Sequence, residues 1–272
     1  MAILRVEKSN PEYGKKNTTT LTLHSSHIGC RHDVSIYHSS GVNPDTPIIL
    51  LLHGVYGSNW VWMELGGAHL VYEQLKAEGL NDFVLVMPSD GGLWDGSAYL
   101  PLKDQGDYEQ WIVDDVLTGV IDNIDGVSAQ SRVYISGLSM GGYGALRLGT
   151  KYPEKFSGIS AHSSVTSMAD LQQFIDIDVA DYQCEFEYEA DISYWLEKNK
   201  ALLPPMRLDC GIEDSLYSSN LQLVEVMTNL GVSFQFDELN GGHEWSYWYH
   251  NFKKTLMFFN EIENRFIGIA TN

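Results

Sequence analysis

Basic residues are scarce. Lys and Arg number 17 against 36 Asp and Glu in 272 residues, a formal net charge of −19. Holding a phosphate backbone takes concentrated positive charge, so the deficit excludes nucleic acid as a partner. An anionic membrane surface is disfavoured for the same reason. Cysteine is sparse too. Cys30, Cys184 and Cys210 are scattered without C-x-x-C spacing, which argues against a structural zinc site or a disulfide framework and for three reduced thiols. Long apolar runs are missing. The longest, Ile48–Leu52, is far too short to span a bilayer. The opening MAILRVEKSNPEYGKK has no apolar core of signal-peptide length. These absences together predict a soluble cytoplasmic protein.

What is present is ordinary globular material: 44 % hydrophobic and 19 % charged residues, in a length that suits one large domain. Short β-rich runs alternate with longer helical stretches. Leu21–Leu23 and Asp33–His38 read as an opening antiparallel pair. Pro47–His53, Phe83–Met87, Arg132–Ser136, Phe156–Ala161, Met206–Cys210 and Ser233–Leu239 read as further strands. The helical stretches are Trp60–Glu78 (closed by Gly79), Tyr108–Ile124, Met140–Tyr152, Ser215–Leu230 and Ser246–Phe266. Such alternation implies an α/β fold, with a mainly parallel central sheet and helices on both faces. Residues 165–204 break the rhythm. They are too long for one connection and too aromatic for a linker, and read as a small lid inserted over the carboxyl edge of the sheet.

Gly137-Leu138-Ser139-Met140-Gly141 matches G-x-S-x-G. The pattern alone is weak, but here a strand, VYIS, runs into it and a helix leaves it, the setting that exposes a serine nucleophile at a sharp turn. At a helix N-terminus the serine also meets backbone N–H groups that favour developing negative charge. His53-Gly54-Val55-Tyr56-Gly57 follows another buried strand. A loop there supplies one backbone donor for a carbonyl oxyanion, the second coming from the residue after the serine. Val55 and Met140 are the expected donors, with Tyr56 as the second choice in the loop. In this arrangement the acid and then the histidine follow the serine along the chain. His162, His243 and His250 all lie beyond Ser139, but only the last two leave room for an acid. His250 falls inside a helix, so His243, in Asn240-Gly241-Gly242-His243, is the expected base. His53 precedes the serine and is read as a structural loop histidine. The loop Gly211-Ile212-Glu213-Asp214 supplies the acid, with Asp214 preferred to Glu213. Asp209 lies within a strand; Asp237 and Glu238, late in the next, read as solvated charge.

Taken together, HG-x-x-G-S-x-W, Y-E-x-W-x-x-D-D, S-G-L-S-M-G-G-Y-G-A-L, C-G-x-x-D and G-G-H-x-W-x-x-W, spread over roughly residues 18–266, resemble the α/β-hydrolase serine esterases of the esterase D / tributyrin esterase type. That group is related to feruloyl and acetylxylan esterases and, more distantly, to mycolyltransferases. The resemblance implies one α/β-hydrolase domain over residues 1–272, hydrolysis of short-acyl or aryl carboxylic esters, and Ser139, Asp214 and His243 as catalytic residues. No cofactor or metal is needed for that chemistry. S-formylglutathione hydrolases of this superfamily usually carry a cysteine in the loop after His-Gly. Val55-Tyr56-Gly57 has none, which weighs against that thioesterase alternative. An acyltransferase with the same triad, or a non-catalytic binding module, are further alternatives.

The partner expected is a small-molecule ester. Apolar helix faces leave a homo-oligomer open. Trp60, Trp94, Tyr99, Trp245 and Trp248 lie near loops that should meet at the carboxyl edge of the sheet, where they either wall a pocket or pack beneath the loops. Tyr56, Trp60 and Trp245 are the expected substrate contacts. With one acid assigned to the triad, the other carboxylates are expected mainly on the surface, a dense share of them between Asp170 and Glu197.

Overall fold

A computed structural model describes residues 2–38 and 43–270. Eleven strands run in chain order as β1 (Ile3–Lys8), β2 (Thr18–Ser25), β3 (Arg31–Tyr37), β4 (Ile48–Leu52), β5 (Val84–Pro88), β6 (Pro101–Leu102), β7 (Gly106–Asp107), β8 (Val133–Leu138), β9 (Gly158–His162), β10 (Met206–Gly211) and β11 (Gln235–Leu239). The α-helices are α1 (Val61–Glu64), α2 (Ala68–Ala77), α3 (Tyr108–Gln110), α4 (Leu117–Asn123), α5 (Met140–Lys151), α6 (Met168–Leu171), α7 (Ile192–Lys198), α8 (Tyr217–Asn229) and α9 (Trp245–Ala270). Nine strands form one sheet in the order β1-β2-β3-β5-β4-β8-β9-β10-β11. The β1–β2, β2–β3 and β3–β5 pairs are antiparallel, and every pair from β5 to β11 is parallel. This is a mainly parallel α/β sheet, as the alternation of elements predicts.

The central strands are buried on both faces, which is why β4 reads as IILLL without alternation. Leu50 and Leu52 point into one core with the helices α5, α7 and α8. Ile49 and Leu51 point into the other, beneath α1, α2 and α9. The strands therefore converge with their carboxyl ends on one edge, where the loops after β4, β8, β10 and β11 emerge together.

Three local features differ from the sequence reading. The stretch Trp60–Glu78 is two helices. Gly67 adopts a left-handed φ of 57° between α1 and α2, a conformation glycine accepts without a Cβ clash. The stretch Tyr108–Ile124 includes a π-helix, Trp111–Val116, between α3 and α4. One residue is inserted per wide turn there, so a 3.6-residue spacing from Trp111 to Ile124 does not hold throughout. Strand β1, at the sheet's edge, has no fully buried residue and carries little apolar signal, so the sequence does not reveal it.

Between β9 and β10, residues 165–204 carry α6, α7 and three short 3₁₀ turns. They are pinned to the loop ahead of β6 and to the turn that follows it. The Tyr182 hydroxyl donates to the Gly96 carbonyl at 2.7 Å, the Asp176 N–H to Asp95 at 3.0 Å, and the Lys103 N–H to the Gln183 carbonyl at 2.7 Å. No helix among the described residues is long and apolar enough to cross a membrane.

Most carboxylates lie at the surface, as expected, with a buried minority. Besides Asp214, the side chains of Asp90, Glu109, Asp115, Asp170, Asp209 and Glu263 are all buried. Each has a partner that offsets the cost of desolvation. Glu109 meets Arg147 and Lys151, Glu263 meets Arg132, and Asp170 closes a capping box with Ser167 at the start of α6.

Candidate active site

Ser139 stands between β8 and α5 with φ 55° and ψ −122°. A non-glycine residue there is strained by an amount on the order of 1–3 kcal/mol, and the surroundings must hold it. They do so with backbone bonds. The Ser139 N–H donates to the His162 carbonyl at 3.0 Å, and the Ser139 carbonyl accepts from Tyr143 at 3.1 Å and Val165 at 3.1 Å. The flanking glycines are required by space. A Cβ on Gly137 would lie 2.1 Å from the Gly141 carbonyl oxygen, and one on Gly141 2.1 Å from that of Leu52.

The three residues named from the sequence as nucleophile, base and acid come together. His243 Nε2 lies 2.9 Å from Ser139 Oγ, and His243 Nδ1 lies 2.9 Å from Asp214 Oδ2. The second oxygen of Asp214 accepts the Leu216 N–H at 2.8 Å, which fixes the carboxylate plane. The acid is buried while the imidazole keeps some exposure, so the pair sits at a mouth rather than in the interior. Glu213 is exposed, with its backbone N–H bonded to the Gly241 carbonyl at 3.1 Å.

Neither the Val55 nor the Met140 N–H has a protein acceptor among the described residues. Gly54 lies against the serine: a Cβ there would come within 3.2 Å of Ser139 Cβ. The Tyr56 N–H, the second choice for a loop donor, is already bonded to the Asp95 carbonyl at 2.8 Å. His53 is buried and both its ring nitrogens are engaged. Nδ1 donates to the Gly54 carbonyl at 2.7 Å and Nε2 accepts the Asp90 N–H at 3.0 Å.

The aromatic residues divide. Tyr99 is fully buried, its hydroxyl donating to the His53 carbonyl at 2.8 Å. Trp248 is buried edge-on to His243, ring centroids 5.0 Å apart. Trp245 packs on Trp248 and over Gly66. Trp60, Trp94 and Tyr56 are exposed. The sequence reading missed Phe174, which stacks on the His243 ring at 5.0 Å and 22°. Its carbonyl accepts the Tyr56 hydroxyl. Phe174 is one of many aromatics in the insertion, and no spacing rule links it to a histidine 69 positions further on.

The geometry is that of a strand-to-helix serine turn with a hydrogen-bonded histidine and carboxylate, on an α/β-hydrolase sheet. A family model named Esterase matches residues 25–259. The chain belongs to the esterase family. An acetyl esterase from Caldicellulosiruptor saccharolyticus is 27 % identical over 252 residues, 86 % of this chain and 89 % of its own length. A solved ferulic acid esterase is similar with a TM-score of 0.78 and 26 % identity, over 95 % of this chain and 99 % of that one. The Staphylococcus aureus fluorophosphonate-binding serine hydrolase FphF, solved with substrate bound, has a TM-score of 0.76 and 23 % identity, over 89 % and 98 %. The chain is an esterase D-type α/β-hydrolase and a serine carboxylesterase.

Proposed function

We propose that this esterase works through Ser139, His243 and Asp214, on small esters of short-acyl or aryl acids. The observation that supports the reading most is the continuous hydrogen-bonded line from Asp214 through His243 to a serine held at φ 55°. In this mechanism His243 Nε2 takes the Ser139 proton as Oγ attacks the ester carbonyl. Asp214 keeps the imidazole proton on Nδ1 and stabilises the imidazolium that forms. The oxyanion is held by the N–H groups of Val55 and Met140, which face no competing acceptor. His243 then protonates the leaving alcohol, and a water activated by the same histidine releases the acid from the acyl-enzyme.

Tyr56, Trp60 and Trp245 line the approach in this reading, and residues 165–204 form a lid within the single domain, reaching His243 through Phe174. The three free cysteines accord with a cytoplasmic setting. A panel of p-nitrophenyl esters from acetate to octanoate, with methyl ferulate, tests the substrate range. Turnover should be highest at acetate or butyrate and fall by octanoate. A maximum at octanoate would overturn the short-acyl reading, and ferulate turnover would select the aryl branch.

Charge at the mouth gives a second expectation. Asp95 and Asp176 both act on Tyr56, whose hydroxyl is held above its ordinary pKa by desolvation and by these two carboxylates. Negative potential there disfavours anionic substrates and is screened by salt. Neutral esters should be turned over several-fold faster than matched anionic esters at low ionic strength, with the ratio shrinking as salt rises. Equal rates at low salt would remove the lid from this role.

A further inference from the structure

The loops carrying the proposed triad converge on one buried carboxylate that the mechanism does not use. Asp209, on β10 five residues before Asp214, is fully enclosed. The Tyr247 hydroxyl donates to its Oδ1 at 2.7 Å. Its Oδ2 lies 2.6 Å from an Arg207 guanidinium nitrogen and 2.8 Å from His162 Nδ1. Burial alone would raise this carboxyl, but His162, Arg207 and Tyr247 outweigh burial and hold it at about 2. It is therefore ionised wherever the protein is folded and active.

Two partners of Asp209, His162 and Tyr247, each sit one step from a triad member. The His162 carbonyl accepts the Ser139 N–H, 3.0 Å away, while its Nε2 meets Thr255 of α9 at 2.7 Å. Ser163, the next residue, has φ 45° and donates its N–H to the Asp209 carbonyl at 2.8 Å. Tyr247 follows His243 by four residues. Its ring closes the space beneath the His243 loop, since a Cβ on Gly241 would come within 2.9 Å of it. β10 itself runs on into the Asp214 loop. One carboxylate thus accepts a hydrogen bond from Tyr247 of α9 and lies in close contact with the His162 ring of β9, while its own strand carries the acid.

We infer that Asp209, through Tyr247 and His162, is a positioning residue that fixes the mutual alignment of Ser139, His243 and Asp214. The inference rests on the triad reading above. Fold stability alone does not account for the cluster, because well-packed apolar side chains commonly do as well as a buried ion pair or better. Directional bonds to an ionised, buried acceptor supply what apolar packing does not, a single fixed geometry. A misplacement of about 1 Å in a reacting group can cost on the order of 100-fold in rate.

Tyr247→Phe, which removes one hydroxyl, and Asp209→Asn test this beside the wild type, Ser139→Ala and Glu263→Gln. Glu263 is a control on the same helix, buried with Arg132 and Tyr134, away from the triad. The readouts are kcat and KM with p-nitrophenyl acetate, the rate of covalent labelling by an organophosphonate, and Tm. Tyr247→Phe should lower kcat and the labelling rate together by about tenfold, with KM within about twofold. Asp209→Asn should lower both further. Glu263→Gln should lose Tm at least as strongly as Tyr247→Phe while keeping kcat. Wild-type kcat in Tyr247→Phe would overturn the inference even if Asp209→Asn does not fold. So would kcat losses that simply track Tm across all three variants. A folded wild type that does not label, or a Ser139→Ala variant that does, would remove the triad reading and this inference together. Normal wild-type labelling with unaffected variants would remove this inference alone.

Discussion

Ser139→Ala should lower ester hydrolysis by about 10⁴-fold or more and abolish labelling by an organophosphonate, with the fold intact. The serine hydroxyl makes one side-chain bond, to His243, so its removal leaves no buried group unpaired that water cannot reach. The backbone bonds that hold position 139 at φ 55° come from His162, Tyr143 and Val165 and do not involve the side chain. Stability should therefore change by less than about 1 kcal/mol, the range of substitutions that open no cavity and break no network. Activity depends on the side chain entirely. Without a nucleophile, only the unpaired N–H groups of Val55 and Met140 and substrate binding remain, which in other serine hydrolases leaves a small residue of the rate. The measurements are p-nitrophenyl acetate turnover, mass spectrometry of the labelled protein, and a melting curve. A variant retaining above about one hundredth of the wild-type rate would place the nucleophile elsewhere.

Much of this site could be read without coordinates, and the parts that could share a physical property. The buried strands β4 and β5 are continuous apolar runs bounded by Pro or Gly. The serine turn needs small residues at fixed offsets, because Gly137 and Gly141 approach neighbouring backbone to a distance that admits no Cβ. Both signals are local, so one sequence contains them. Pairings set by tertiary packing were not legible. Arg207 and Asp209 fall on alternate positions of β10, between Met206, Leu208 and Cys210, a pattern that ordinarily marks a strand with one wet face. Here α9 covers that face, and the charges are buried as a pair with His162 and Tyr247. The stacking of Phe174 on His243 is of the same kind. So is the buried pairing of Glu109 in the first turn of α3 with Arg147 and Lys151 of α5.

Under the proposed mechanism His53, read from the sequence as structural, governs the oxyanion donor. Its Nδ1–H holds the Gly54 carbonyl at 2.7 Å, and the Gly57 N–H holds the same oxygen at 3.2 Å. The peptide linking Gly54 to Val55 is planar and trans, so its C=O and N–H point in opposite directions. Pinning the Gly54 oxygen toward the imidazole thus aims the Val55 N–H away from it. The Asp90 N–H, donating to Nε2, selects the tautomer with the proton on Nδ1. Under the proposed mechanism, His53→Gln loses this aim. Its amide can reach the Nε2 position and keep Asp90, but not fold back to Gly54. The expected loss is about 10²–10³-fold in kcat, the cost of an absent oxyanion donor, with KM little changed. His53→Asn places an amide N–H near the Nδ1 position and should recover most of that rate. Equal activity in the two variants would mean that His53 only fills space. A loss confined to KM would mean that the loop binds the ester in its ground state and does not stabilise the oxyanion.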